Sequence, residues 1–288
     1  MIKTYYQMTK PGIIYGNLLT VAAGFFLASS RVGHINIWLL FATMLGVSFV
    51  IGAACVFNNF IDRDIDKLMT RTEKRALASG SVSGASALGF ASVLGFAGML
   101  LLGKFTNWLT VSVGVVAFID YVVLYGWSKR HSIYGTIVGS VAGAAPIVAG
   151  YTAVTSHIDA GAILLFLIML TWQMPHFYAI AIFRLDDYSN ALIPVLPAVK
   201  GIQTTKIQII CYVIAFTIAN ALLVLFGYTG YIYLGVMSIV GLTWLFVGLV
   251  GIKLTGPAAT AWARKMFFFS LIVVLVFSIS VSLGGWLV

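Results

Sequence analysis

The residues whose types and spacing best suit chemistry lie in one segment, NNFIDRDID, residues 58–66. Asn58, Asp62 and Asp66 follow one another at intervals of four, so on a helix they drift by only about 80° and share one face. Oxygen side chains on one face suit Mg²⁺, which often binds through one or two carboxylates plus a substrate phosphate. The segment therefore predicts a metal–diphosphate site, with a solvated loop of ordinary ion pairs as the alternative.

Basic residues accompany these acids and could bind phosphate. Arg71, Lys74 and Arg75 follow in the same loop, and Lys129 and Arg130 stand at the end of a later apolar stretch. Arginine holds phosphate through a bidentate fork, whereas lysine acts as a point charge. We therefore predict diphosphate contacts here, although basic residues at the end of a span are also typical topology signals.

A second charged segment, WQMPHFYAIAIFRLDDYSNALIPVLP, ends at Pro197. Asp186 and Asp187 could supply a second carboxylate set, so that more than one metal ion bridges one diphosphate, and Arg184 is a further candidate diphosphate contact. The alternative is the charged end of a membrane span. Pro194 and Pro197 predict a rigid non-helical loop after it.

Two histidines are candidates for contacting a haem. His176 follows Pro175 inside an apolar stretch, where an ionisable side chain is a functional candidate by default. It could ligate the iron or orient a substrate carboxylate, and the alternative is a hydrogen-bonded histidine that joins helices. His131 is the second candidate. Asp120 stands alone in another apolar stretch and must be paired or protonated there, but its surroundings in the sequence suggest no role.

Membrane-spanning helices must position these residues. Of the 288 residues, 61% are apolar and 9% are charged, with a mean hydropathy of +1.03, against about 45–50% apolar and 25% charged in soluble domains. This composition excludes a soluble globule and a disordered chain. The net charge of +9 fits basic cytoplasmic loops better than a nucleic-acid surface. Two cysteines without a CxxC pattern argue against a disulfide framework or a zinc site.

The apolar stretches are near the length that a bilayer requires. They predict an all-α integral membrane protein with nine transmembrane helices in a single domain, residues 1–288. The predicted spans are 12–30, 37–58, 82–103, 108–127, 134–154, 161–182, 207–227, 231–252 and 266–286. The glycine-rich stretch 139–150 predicts close contact between helix backbones.

Nine spans place the two termini on opposite sides of the membrane. With the N-terminus cytoplasmic and the C-terminus outside, all but Arg31 and Lys104 of the 17 basic residues fall on the cytoplasmic side, as the positive-inside rule requires. The acidic loops after spans two and six then meet at that face. We expect a multi-pass protein of the cell inner (plasma) membrane whose charged site faces the cytoplasm.

Metal-binding carboxylates, basic phosphate contacts and an apolar bundle together favour transfer of a prenyl group. The diphosphate of a prenyl diphosphate would lie at the cytoplasmic rim and its tail among the helices. Loss of diphosphate would leave an allylic cation for capture by an electron-rich acceptor. Neutralising the leaving group in a site poor in water is the main source of stabilisation.

The motifs resemble those of a known family. NNFIDRDID followed by TRTEKR resembles the first motif of the UbiA-type intramembrane prenyltransferases. WQMPHFYAIAIFRLDDYSNALIPVLP, TKPGIIYGNLLT, KRHSIYGTIVGSVAGAAP and WARKMF resemble segments of the branch of this family that prenylates haem. The resemblance runs from residue 9 to about residue 268.

This resemblance implies a fold, a reaction and a set of site residues. The fold is nine helices around a central cavity that opens to the cytoplasm. The reaction joins the farnesyl group of farnesyl diphosphate to a vinyl carbon of haem b, with addition of water, to give haem o and diphosphate. Mg²⁺ is the implied cofactor. The implied metal and diphosphate residues are Asn58, Asp62, Asp66, Asp187, Arg71, Arg75, Lys129 and Arg130. The second motif departs from the usual D-x-x-x-D, because only Asp186 and Asp187 are available.

Two other functions remain as alternatives. One is a prenyltransferase of the same family with a quinone-type aromatic acceptor. The other is a membrane transporter or haem carrier, which leaves the clustering of the acids at one face unexplained. The expected partners are farnesyl diphosphate, haem b and the lipid bilayer, without nucleic acid, and contact with haem-modifying or oxidase-assembly proteins is a further expectation.

Overall fold

The computed structural model describes residues 1–287, and the secondary structure of this part is α-helical. Nine of its helices are long and apolar enough to span a membrane, which confirms the predicted fold class. The spans are α2 (Pro11–Val32), α3 (Ile37–Ile61), α5 (Gly84–Phe105), α6 (Trp108–His131), α7 (Gly135–Thr155), α8 (Ala160–Phe183), α10 (Leu196–Leu225), α11 (Tyr231–Val250) and α12 (Gly256–Gly284). The short helices are α1 (Ile2–Met8), α4 (Arg63–Asp66) and α9 (Leu185–Asn190).

Most spans begin and end near the predicted residues because local signals mark them. Asn36 and Asp159 cap α3 and α8: their side-chain oxygens accept hydrogen bonds from the backbone N–H groups of Leu39 and Ala162, each at 3.1 Å. α2 ends where Gly33 takes a left-handed conformation, with φ of 79°. Glycine adopts this conformation without a Cβ penalty.

Two spans begin earlier than hydropathy predicts. α10 begins at Leu196 rather than at 207, and α12 begins at Gly256 rather than at 266. Pro197 lies in the first turn of α10, where its missing N–H costs nothing, so the predicted non-helical loop is wrong beyond this point. α10 then bends at Gly201, which has φ of 82°. Polar residues lower the local hydropathy in both segments, but a helix can continue beyond the apolar layer.

Small residues let α2 and α7 cross in close contact. A Cβ atom on Gly24 would lie 2.0 Å from the carbonyl oxygen of Ile147, and one on Gly150 would lie 2.0 Å from that of Val21. The two backbones therefore meet directly, as small residues allow in membrane helices. This contact confirms the close packing predicted for 139–150.

The largest apolar core joins α2 and α7 to α8, α10, α11 and α12. Tyr151, Phe216 and Trp244 are among its fully buried side chains. Large apolar side chains such as Trp38 and Phe246 are exposed on the outside of the bundle. Helices that are apolar all round are typical of proteins that face lipid, so the outer surface fits a bilayer.

The substitution Gly150→Ala tests the contact between α2 and α7. We expect the added methyl group to force the backbones apart and to destabilise the protein by about 1–3 kcal/mol, the usual cost of overpacking. Thermal unfolding of the purified protein in detergent would report this as a lower Tm.

Gly89→Ala is the matched control in α5. Its added Cβ would meet nothing within 4 Å among residues 1–287 beyond its own helix, so we expect an unchanged or raised Tm. Equal Tm values for Gly150→Ala and the unsubstituted protein would contradict the proposed crossing.

Candidate active site

A cavity of about 520 Å³ lies among α2, α3, α6, α7 and α8. Its wall is mostly apolar, with charged residues collected where α2 begins and where α3 and α6 end. We name this end the charged mouth, and its residues are Lys10, Asn58, Asp62, Asp66, Arg71, Arg75 and Lys129. A cavity with one charged end and an apolar depth suits a molecule with an anionic head and a hydrocarbon tail.

Asn58, Asp62 and Asp66 line the charged mouth together although they belong to two helices. Asp62 ends α3 and precedes α4. The backbone N–H of Asp62 donates to the carbonyl of Asn58 at 2.9 Å, and that of Asp66 donates to the carbonyl of Asp62 at 2.8 Å. The i to i+4 register thus continues through the junction, and the three buried side chains share one face as their spacing predicts.

Each buried carboxylate of the charged mouth faces a cation from another part of the chain. Lys129 forms an ion pair with Asp62, and Arg75 donates to both carboxylate oxygens of Asp66, at 2.9 and 2.8 Å. The side chains of the two acids are only 2% and 3% exposed. An unpaired charge at such depth would be strongly destabilising. The first pair therefore ties α6 to the end of α3, and the second ties the loop after α4 to α4.

Arg130 lies on the outer side of this arrangement. Its guanidinium donates to the two carboxylate oxygens of Asp64, at 2.8 and 2.7 Å, and to the carbonyl of Ile61 at 2.6 Å. Hydrogen bonds from Arg130 hold the pKa of Asp64 well below its usual range. Arg130 also lies 3.6 Å from Asp62, so it touches the charged mouth at one edge.

The acids of the charged mouth fit a divalent metal ion bound mainly through substrate. Asp62 Oδ1 is buried and accepts no hydrogen bond within the part of the chain that the structure describes, with Arg130 Nη2 3.6 Å away. No group of three or more His, Cys, Asp or Glu side chains suited to a metal occurs among residues 1–287. Mg²⁺ needs no such cage, because it often takes one or two carboxylates and completes its shell with water and phosphate.

The second acidic segment contributes a tyrosine to the cavity wall. Asp187 Oδ2 lies 3.6 Å from Arg184 Nη1, and Asp186 is exposed. Tyr188, the next residue, lines the cavity, and burial raises the pKa of its hydroxyl. Ile193 packs with Met69. The two charged loops therefore meet as predicted, with neither aspartate of the second loop among the lining residues that the structure describes.

Lys10 is a residue of the charged mouth that sequence reasoning missed. It lies immediately before α2, and its Nζ donates to Asn58 Oδ1 at 3.4 Å. Burial lowers the pKa of Lys10 to about 8. A lysine directly before the first span could have indicated a binding residue, but basic residues at the ends of spans more often determine the orientation of the protein in the membrane.

Two tyrosines of α6 line the cavity, one and two helical turns before Lys129. The rings of Tyr121 and Tyr125 stack with centroids 5.4 Å apart, and Lys129 Nζ lies 5.5 Å from the ring centre of Tyr125. A π-helical turn, Asp120–Leu124, sets this register. The carboxylate of Asp120 accepts a hydrogen bond from the backbone N–H of Ala142 at 3.1 Å, so this intramembrane acid has a partner in α7.

The two candidate histidines lie in different surroundings. His176 lines the cavity, and its Nδ1 is 2.7 Å from Ser270 Oγ, whose hydroxyl donates to the carbonyl of Phe267 at 2.6 Å. Ser270 must therefore accept from Nδ1–H, which leaves Nε2 as the unprotonated nitrogen that can bind a metal. His131 is exposed and stacks on Trp127 outside the described cavity wall, so His176 is the better placed of the two for a ligand in the cavity.

The sequence is similar to those of known prenyltransferases. A model of the UbiA prenyltransferase family matches residues 17–272. A protoheme IX farnesyltransferase from Yersinia pseudotuberculosis is 52% identical over 283 residues, which cover 98% of this chain and 95% of that protein.

Solved structures show the same fold at low identity. A structure from a study of the biosynthesis of digeranylgeranylglyceryl phosphate synthase in membranes has a TM-score of 0.80, with 19% identity, and covers 100% of this chain and 99% of its own. A UbiA homolog from Archaeoglobus fulgidus bound to DMAPP and Mg²⁺ has a TM-score of 0.74, with 14% identity over 97% of this chain and 99% of its own. The family model and the 52% identical relative each cover most of the chain, and the chain therefore belongs to the UbiA prenyltransferase family.

Proposed function

We propose that this chain transfers the farnesyl group of farnesyl diphosphate to a vinyl carbon of haem b, with addition of water, to give haem o and diphosphate. The observation that carries the proposal is the cavity, whose buried acids and bases lie at one end of an apolar space. Relatives about half identical along nearly the whole chain are named protoheme IX farnesyltransferase, which favours haem over a quinone-type acceptor and over transport.

The charged mouth is proposed to face the cytoplasm. Basic residues are concentrated in the loops at that end of the bundle, in agreement with the positive-inside rule. The N-terminus is then cytoplasmic and the C-terminus outside, in the cell inner membrane. Haem o would leave as an amphiphile, so contact with haem-modifying or oxidase-assembly proteins remains part of the proposal.

Asn58, Asp62 and Asp66 are proposed to hold Mg²⁺ against the diphosphate. Neutralising the charge of the leaving diphosphate is the chemistry that Mg²⁺ supplies when bound. Support comes from Asp62 Oδ1, which is buried and accepts no hydrogen bond among residues 1–287, and from the Archaeoglobus fulgidus homolog bound to Mg²⁺.

Basic residues at the rim are proposed to bind the diphosphate directly. Arg71, Arg75 and Lys129 line the charged mouth. Arg75 and Lys129 can turn from Asp66 and Asp62 toward phosphate oxygens. Lys10 adds a fourth cation to this group. Arg130 and Arg184, beside the mouth, are further proposed diphosphate contacts, whereas Asp186 and Asp187 are proposed to contribute to the metal site.

The apolar depth of the cavity is proposed to hold the farnesyl chain and one face of the haem. His176 Nε2 would approach the iron, because Ser270 fixes the ring by its other nitrogen and Trp172 stacks on it with ring centroids 5.0 Å apart. The apolar wall keeps bulk water from the allylic cation. The rings of Tyr121 and Tyr125, close to the charged mouth, present π faces that attract a cation.

Asp62→Asn and Asp66→Asn test the metal–diphosphate site. Each change keeps the shape of the side chain but removes the negative charge that holds Mg²⁺, so we expect haem o formation to fall by roughly 100-fold or more. Turnover with farnesyl diphosphate, haem b and Mg²⁺ would be measured by mass spectrometry of extracted haem.

Glu73→Gln is the matched control for these acids, because Glu73 is an exposed acid of the same loop. Its turnover should equal that of the unsubstituted protein. Near-normal activity of either aspartate variant would exclude the proposed metal site.

His176→Ala tests the haem site separately from the diphosphate site. We expect weaker haem binding in a spectral titration, with little change in the affinity for farnesyl diphosphate, because the imidazole faces the apolar part of the cavity. His131→Ala should leave both affinities unchanged, since this ring lies outside the cavity wall. An unchanged haem affinity in His176→Ala would refute the proposed contact between His176 and the haem iron.

The choice of acceptor can be tested with the unsubstituted protein. Incubation with farnesyl diphosphate and either haem b or a quinone-type aromatic acceptor should give a prenylated product only from haem. Prenylation of the quinone-type acceptor without any haem product would overturn the proposed function.

A further inference from the structure

Gln173 is a buried polar residue that neither the metal site nor the proposed haem contact uses. It lies on α8, one turn before His176, and lines the apolar part of the cavity while being only 4% exposed. A polar group in such surroundings needs hydrogen-bond partners. The hydrogen bonds that its carboxamide makes to the protein therefore show which of its atoms can bind a molecule in the cavity.

The protein fixes the orientation of this carboxamide. Gln173 Nε2 donates to two backbone carbonyls, those of Ser140 in α7 and Met169 in α8, each at 3.0 Å. Turning the amide over would set its oxygen against both carbonyl oxygens and lose two hydrogen bonds. Both N–H groups are thus occupied, and Oε1 remains as an acceptor without a donor among residues 1–287.

Gly143 makes room for this oxygen. A Cβ atom at Gly143 would lie 1.9 Å from Gln173 Oε1, and one at Gly139 would lie 2.7 Å from the ring of Tyr125. The two glycines are one helical turn apart on α7, so Oε1 lies one turn deeper in the cavity than Tyr125. Lys129 lies one further turn toward the charged mouth. Gln173 Oε1 therefore lies farther into the cavity than the proposed diphosphate site, in the part where the haem would be prenylated.

We propose that Gln173 Oε1 holds the water molecule that adds to the haem vinyl group. This inference rests on the proposed function. A farnesyl cation would be destroyed by free water, so the cavity must exclude bulk water and yet supply one molecule at a second carbon. A fixed acceptor in an apolar wall meets both needs, because it takes one O–H of a water molecule and leaves the lone pairs of the water oxygen free to bond to carbon.

The reaction then balances without an oxidant or a reductant. The bond between farnesyl C1 and diphosphate oxygen breaks, and its electron pair leaves with the diphosphate. The π electrons of the vinyl group form the new carbon–carbon bond, which leaves positive charge on the vinyl carbon next to the porphyrin. The oxygen of the held water bonds to that carbon, and the surplus proton passes to the diphosphate.

Two substitutions test the inference by product composition. Gln173→Met removes the acceptor at similar volume, and Gly143→Ala displaces Oε1 without removing it. With the water misplaced, the vinyl cation loses a proton instead, and the product is lighter than haem o by one water molecule. We expect the dehydrated share of prenylated haem to rise about fivefold or more, as for the loss of one hydrogen bond. Gly89→Ala is the control.

The outcomes separate this inference from the proposed function. If the unsubstituted protein forms no prenylated haem, the proposed function fails. If it forms haem o and either variant keeps the same product ratio, Gln173 does not hold the water. A Gln173→Met protein that binds haem but forms no prenylated haem would also overturn the inference, because the residue would then act before water addition.

Discussion

The site depends on neutralising two carboxylates that are buried in a membrane-embedded bundle. Asp62 and Asp66 are almost fully buried, and each faces a cation from another element, Lys129 or Arg75. A buried carboxylate without a partner would cost several kcal/mol, so the ends of α3 and α6 must stay together. The contacts that hold these elements in place are therefore the contacts that assemble the charged mouth.

The same pairs place cations beside the proposed diphosphate site. In the proposed function, Lys129 and Arg75 would turn from the carboxylates to phosphate oxygens, and a metal ion would take their place on the acids. The remainder of the cavity is apolar, so it offers the tail of the substrate an environment like the bilayer. Charge at one end and apolar surface along the rest thus match both parts of an isoprenoid diphosphate.

Glycines have two different effects in this bundle. At Gly24 and Gly150 the absence of a Cβ lets α2 and α7 touch through their backbones. At Gly139 and Gly143 it leaves space for two side chains of the cavity wall, the ring of Tyr125 and the carboxamide of Gln173. The glycine-rich segment of α7 therefore combines close packing on one side with room for polar groups on the cavity side.

The sequence by itself determined the nine spans and the shared face of Asn58, Asp62 and Asp66, because span length and helical periodicity are local properties of a chain. Its motifs also pointed to the correct family. Only the tertiary structure decided that Tyr188, rather than Asp187, lines the cavity, and that His176 faces inward while His131 does not. These outcomes depend on which face each helix turns toward its neighbours. In helices that are apolar all round, the sequence pattern carries little information about that choice, and packing against the neighbouring helices makes it.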